Sequence, residues 1–519
     1  MNKNRLLAFI LVIVLISTGF YGCSKKEEGK SDTNAGSGSG TAAATDGSGE
    51  ATEPEVNFEE EPYHATLMYF AANEAADDLD LVEARFNELT KAQLNMEVDL
   101  MPVTIGTYNQ QIQLMLAGGE PLDIFPMFLS NAGTYIDAQY IVDLSDLIYD
   151  YGKDIIDIVG EDDIWCASVG DFLWGVPVMM ERAHPSAFVL RNDILTELGI
   201  NAADINGIEG MGEVFAKVHE AYPDMTVFGG TAGMDPSTID NSIDDLGDRF
   251  GILANYGAEP KVTNWYETDR YKELVNYTRD WYLQGYVSKD LATSTDSGEA
   301  LMKAGNLFAF CCNAKPNSKQ EKDAMTGFDT AIVTFDDPLL TTNMTGTIGY
   351  SIANNSEDPA KAVQLYNWVI KTEEANDLLN WGIEGKHWAE TPDGTIDYPE
   401  GVTMDSVGYH QDFGWAMPNQ MNSHIWKGNA PDIWEQYRAF RDEAHKSAAY
   451  GFTFDITPVV NEIAALTSVK AQYSSIIGSG SVDPDATLKE FNDALYAAGL
   501  QKVMDEKQKQ LDEWLASHK

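Results

Sequence analysis

Between residues 64 and 128 the hydrophobic period switches back and forth between that of a strand and that of a helix, which leaves few folds open. Residues 64–70 read as a strand. Leu79, Val82, Phe86 and Leu89 then recur at helical spacing. Residues 94–101 alternate as a second strand, closed by Pro102. Residues 108–117 form a second amphipathic helix, stopped by Gly118-Gly119, and 122–128 a third strand. This order predicts an α/β domain, a parallel sheet with helices on its faces. Ligands of such sheets sit beyond the carboxyl ends of the strands, which here points to Asn73 and Glu74 after the first strand.

Downstream the pattern predicts a second sheet-forming region. Trp174-Gly175-Val176-Pro177 is a turn feeding a strand, and 186–190, 307–312 and 331–335 read as further strands. Helices are expected at 191–198, 211–222, 271–284 and 434–446, with one or two over 488–515. Residues 346–353 are strand-like, and the helix after Pro359 needs a sheet to cover, so the chain is expected to return to its first region. The body after residue 62 is roughly 455 residues, too long for one ordinary core and comfortable for two.

The start of the chain bears on location. Lys3 and Arg5 precede an apolar run over 6–16, the length of a signal-peptide core and too short for a membrane span. Gly22-Cys23 resembles a bacterial lipoprotein cleavage box, although Phe20 and Tyr21 stand where aliphatic and small residues are usual. Residues 1–22 are thus expected to be a signal peptide, with Cys23 as the lipidated N-terminus. The other reading is ordinary cleavage near Gly22, leaving a thiol. Residues 23–62 hold a Gly-Ser repeat and acidic, Pro-bounded runs with few large apolar residues, the composition of a flexible tether.

Composition excludes more than it selects. The formal charge is −48, from 82 acidic and 34 basic residues, a field that repels nucleic acid. Cys166, Cys311 and Cys312 show no metal-ligand spacing and read as buried thiols. Neither a Gly-x-Ser-x-Gly elbow nor a His-Glu-x-x-His motif occurs, so no catalytic residues, metal or cofactor are assigned.

Several stretches resemble family 1 extracellular solute-binding lipoproteins of bacterial ABC importers. They are 116–124 (Leu-Ala-Gly-Gly-Glu-Pro-Leu-Asp-Ile), Trp174-Gly175-Val176-Pro177, and 355–370 with Asp358-Pro359 opening a helix. The C-terminal part is similar to the LipO-type subgroup. That likeness rests on 381–388 (Trp-Gly-Ile-Glu-Gly-Lys-His-Trp), 452–455, 480–484, 498–500 and 506–511. The resemblance implies a two-lobed, periplasmic-binding-protein-like (type II) fold with a hinge and an interlobe ligand cleft. Lobe 1 is expected from 63–176 plus 346–395. Lobe 2 is expected from 177–345 plus 396–519, including a helical C-terminal region of unknown function. The implied role is delivery of a solute, most often a saccharide, to a transmembrane permease, by a monomer.

A saccharide needs aromatic faces for its C–H surface and fixed polar groups for its hydroxyls. On that basis Trp381, Lys386, His387 and Trp388 are the leading ligand candidates. Trp174 joins them at the predicted crossover, with Glu181 and Arg182 just after it and Trp415 in an aromatic loop. A peptide or amino-acid binder on the same scaffold remains an alternative. So do, less favoured, a secreted glycan-active enzyme and a surface lipoprotein that binds a macromolecule.

Overall fold

A computed structural model describes residues 56–517. The expectations for the signal peptide and Cys23 lie outside those residues, as does most of the tether.

The first sheet has five strands, in the order Met96–Val103, Tyr63–Phe70, Ile124–Phe128, Ile348–Ile352, Val176–Pro177. The first three pair in parallel, with Leu67 opposite both Leu100 and Ile124. Residues 65–70 are all buried, because helices cover both faces of the sheet. Helix Leu79–Leu94 buries Val82 and Phe86, and helix Ile105–Gly118 buries Tyr108, Ile112, Met115 and Leu116. Gly119, at φ 67°, ends the latter in a left-handed cap.

The sheet is not purely parallel. The returning strand Ile348–Ile352 runs antiparallel to Ile124–Phe128 and to Val176–Pro177. Here Gly175 has a packing reason, since a Cβ on it would lie 2.8 Å from the Tyr350 carbonyl. The returning chain then enters helix Pro359–Lys371, with Pro359 in its first turn and the Asp358 carboxylate accepting from the Lys361 N–H at 3.2 Å.

The second sheet has four strands, in the order Thr330–Thr334, Ser186–Arg191, Leu307–Asn313, Thr226–Phe228. Helices Gly207–Ala221 and Asp269–Leu283 pack on it through Phe215 and Trp281, whose rings meet Phe188 of the sheet at 6.3 and 6.0 Å. Cys166, Cys311 and Cys312 are free and buried, and burial pushes the Cys166 and Cys312 thiols up to about 12.

Each sheet anchors its own core, and the C-terminal half divides between them. Residues 396–519 were expected with the second lobe, but Tyr409, Ala416 and Met417 belong to the first core. The Tyr409 hydroxyl donates to the Leu379 carbonyl at 2.7 Å and shares a 2.8 Å hydrogen bond with the Tyr69 hydroxyl on the first sheet. The second core gains chain from Val459 onward, through Leu466, Ile477, Leu488, Phe491, Leu495, Leu500 and Val503. Those residues lie on Val459 and three helices, Val460–Gly478, Pro484–Ala497 and Leu500–Ser517. Helix Val460–Gly478 has no counterpart among the sequence expectations, because it buries only Leu466, Ile477 and Gly478 and lacks a continuous apolar stripe. Among the described residues, no helix is long and apolar enough to cross a membrane.

Candidate functional site

Where the two cores face each other lies a cavity of about 440 Å³. One wall comes from the first lobe, as Asn380, Trp381, Asp412, Gly414 and Trp415. The opposite wall is Lys315, Asn317, Gln320 and Glu321, which follow the carboxyl end of strand Leu307–Asn313 and begin helix Ser318–Thr326. The remaining wall is a bridging segment that supplies Gln420, Ser423, Trp426, Asn429, Trp434 and Tyr437.

Trp381 and Trp434 are held at their polar ends, and Trp415 and Trp426 by ring contacts. The Trp381 indole N–H donates to the His424 carbonyl at 3.0 Å, and its ring stacks on Trp426 at 5.2 Å. His410 lies 4.5 Å from the Trp426 ring, and burial pushes its imidazole down to about 4, so it stays neutral in this stack. The Trp434 indole donates to the Ser423 carbonyl at 2.8 Å. Trp415 packs against Phe413 at 5.0 Å. Trp415, Trp426 and Trp434 all keep part of their surface exposed.

The polar groups form a network across the lobes. Lys315 Nζ lies 3.1 Å from Glu181 and 2.9 Å from Glu321. Gln420 donates to the other Glu181 oxygen at 2.8 Å. Burial alone would raise the Glu181 carboxyl, but Lys315 beside it wins and holds it below the usual carboxylate range. The Asn317 amide donates to Asn429 and Glu321, both at 3.0 Å, and its carbonyl accepts from the Tyr437 hydroxyl at 2.8 Å.

Of the residues picked from sequence, Trp381 and Trp415 line this cavity, and Glu181 sits behind its wall as the partner of Lys315 and Gln420. Trp174 is a correction: it is fully buried in the first core, with its ring against Gly349, and offers no face to a solute. Arg182 is likewise buried, ion-paired to Asp163. Asn73 and Glu74 stand outside the cavity lining. Asn73 exchanges two 3.0 Å hydrogen bonds with Gln411, and Glu74 accepts from the Thr104 N–H at 2.6 Å, which secures the start of helix Ile105–Gly118.

Lys386, His387 and Trp388 are also corrected, because they turn away from the cleft. Gly382, at φ 83°, makes the turn, and a Cβ there would collide with His387. The buried His387 ring accepts from the Ile383 N–H at 2.9 Å and meets Asp78 at 3.1 Å, and Lys386 reaches the same carboxylate at 3.0 Å. Trp388 is buried and lines a separate cavity of about 370 Å³ with Glu373, Asp377 and His424.

In that second cavity the 2.7 Å hydrogen bond from His424 to Asp377 raises the imidazole above its ordinary 6.5. A raised folded-state value means that the pair's stabilisation is full below pH 6.5 and is lost as pH rises through the raised value. NMR titration of His424 is expected to give a midpoint above 6.5 that falls in Asp377→Asn. An unshifted midpoint in that variant removes Asp377 as the cause.

Trp426, Trp434, Lys315, Asn317 and Asp412 were not picked from sequence. Applying the strand-end rule to the second sheet as well as the first would have reached Lys315 and Asn317. Trp426 lies outside every periodic stretch, and Trp434 opens an expected helix whose pattern does not say that it faces a cleft.

Residues 71–376 match the family model described as bacterial extracellular solute-binding protein. The chain belongs to that family. Its members bind solutes for ABC importers and are not enzymes. Residues 448–516 match a domain of unknown function, DUF3502. A carbohydrate ABC transporter substrate-binding protein of Streptococcus pneumoniae is 25% identical over 458 residues, covering 87% of this chain and 91% of that relative. The crystal structure of an N-glycan transport solute binding protein from S. pneumoniae superposes with TM-score 0.76 at 25% identity, over 88% of this chain and 100% of the other. The same protein in complex with Man5GlcNAc gives 0.65 at 24% identity, over 88% and 99%. An HMO binding, ABC-transporter associated solute binding protein from Bifidobacterium longum infantis shares the fold, with TM-score 0.61 at 14% identity over 88% and 99%.

Proposed function

We propose that this chain captures an oligosaccharide between its lobes and hands it to the permease of an ABC importer. The observation that carries the reading is the convergence of Trp415, Trp426 and Trp434, each partly exposed, on one cavity whose amides Asn317, Gln420 and Asn429 are already oriented. Indole faces suit the C–H surface of sugars, and fixed amides and carboxylates suit their hydroxyls. The carbohydrate and N-glycan transport roles of the S. pneumoniae relatives point the same way. The ligand stabilises the closed lobes through contacts available only there, and opening releases it.

A thermal-shift screen tests this reading. Man1GlcNAc and Man5GlcNAc are expected to raise the melting temperature and peptides to leave it unchanged, since a ligand of the native state stabilises it. Stabilisation by peptides alone moves the function to the peptide-binding alternative.

The chain works as a monomer outside the cytoplasmic membrane, tethered by a lipid on Cys23 and reaching its permease through the Gly/Ser-rich segment. Cys23→Ala is expected to shift the protein from the membrane to the soluble fraction or to block processing. A variant that stays membrane-bound with unchanged mature mass sinks the anchor.

A further inference from the structure

Resting on the oligosaccharide reading, we infer that the cleft selects uncharged glycans over acidic ones, with Asp412 and Glu321 as the residues that enforce the choice.

The cations lining the cavity are Lys315 and Lys427, and both are already taken. Lys315 is shared between Glu181 and Glu321, and Lys427 is ion-paired to Asp397. Asp412 adds a further carboxylate on the first-lobe wall. Among the described residues it makes no ion pair within 4.0 Å; its surroundings and the nearby Glu321 raise its carboxyl, against a smaller lowering by Lys315. Its backbone sits at φ 48°, a left-handed conformation that Asp tolerates better than most residues. Two ammonium groups therefore face four carboxylates in and just behind the lining.

A uronate, sialate or sulfate entering this space finds no unpaired cation and meets like charge as water leaves, an arrangement that suppresses wrong partners. The hydroxyls of a neutral sugar are donors, and carboxylate oxygens are strong acceptors for them. The overall charge of −48 has the same sign, but it is screened within about 8–10 Å at physiological salt, so the lining decides.

The test is calorimetry with a matched pair, Man5GlcNAc and the same glycan with its primary alcohols oxidised to carboxylates. The oxidised form is expected to bind at least about tenfold more weakly, with the gap narrowing as salt is raised. The double variant Asp412→Asn/Glu321→Gln is expected to recover much of that gap. Equal or tighter binding of the oxidised form overturns the inference. So does a gap that neither salt nor the double variant changes, which marks lost hydroxyl contacts rather than charge. If the folded protein binds neither form, the oligosaccharide reading falls and takes this inference with it.

Discussion

Trp415→Ala and Trp426→Ala are each expected to weaken glycan binding by about thirtyfold or more, about 2 kcal/mol, as for aromatic anchors in other interfaces. Both rings are fixed before any solute arrives, Trp426 by its stack on Trp381 and Trp415 by Phe413. Little ordering entropy is then left to lose on binding, which makes such faces efficient. Calorimetry with the best ligand of the screen measures the effect, after circular dichroism establishes that each variant folds. Trp388→Ala is the comparison: Trp388 lines the other cavity but packs in one cluster with Trp381 and Trp426, so its loss of affinity is expected to be smaller than that of either cleft variant. Parent-like affinity in both cleft variants removes these rings from the site. A large loss in Trp388→Ala alone returns the site to the segment 381–388.

Asp163→Ala is expected to cost about 3–5 kcal/mol of stability, the usual penalty for stranding a buried charge. The Asp163 carboxylate pairs with the buried Arg182 and with Arg441, and accepts from the Tyr450 hydroxyl at 2.6 Å. Arg182 follows the crossover strand Val176–Pro177, and Arg441 ends the helix Ile433–Asp442 that carries Trp434 and Tyr437. One carboxylate thus ties the crossover to the bridging wall of the cleft. Urea unfolding of the parent, Asp163→Ala and Asp163→Leu/Arg182→Met distinguishes a stranded charge from lost packing. The double variant is expected to recover part of the loss, because it buries no unpaired guanidinium at position 182. A change below about 1 kcal/mol in the single variant contradicts the buried-charge account.

Much of the framework was legible in the sequence because it is local. The switch in period over 64–128, the Gly118-Gly119 stop and the Asp358-Pro359 start are decided by neighbours a few residues apart. Helix Val460–Gly478 escaped because its buried contacts are few and widely spaced. The antiparallel return of Ile348–Ile352 escaped because strand direction leaves no mark on side-chain alternation.

The site was legible only in kind. Tryptophans and amides announced a sugar-binding chemistry, but their addresses depend on which side of a turn each one leaves. The segment 381–388 shows the reason most clearly. Trp381 and Trp388 stand seven residues apart, yet Gly382 turns the chain so that one lines the cleft and the other a different cavity. Trp174 was topologically well placed at the crossover, but the close approach of the returning strand at Gly175 and Gly349 seals its ring into the core. The sequence by itself determined the two sheet-forming regions and the aromatic and amide inventory. The tertiary structure alone decided which rings stay exposed and which carboxylates pair across the lobes, because both depend on contacts between segments far apart in the chain, such as Glu181 with Lys315 and Gln420.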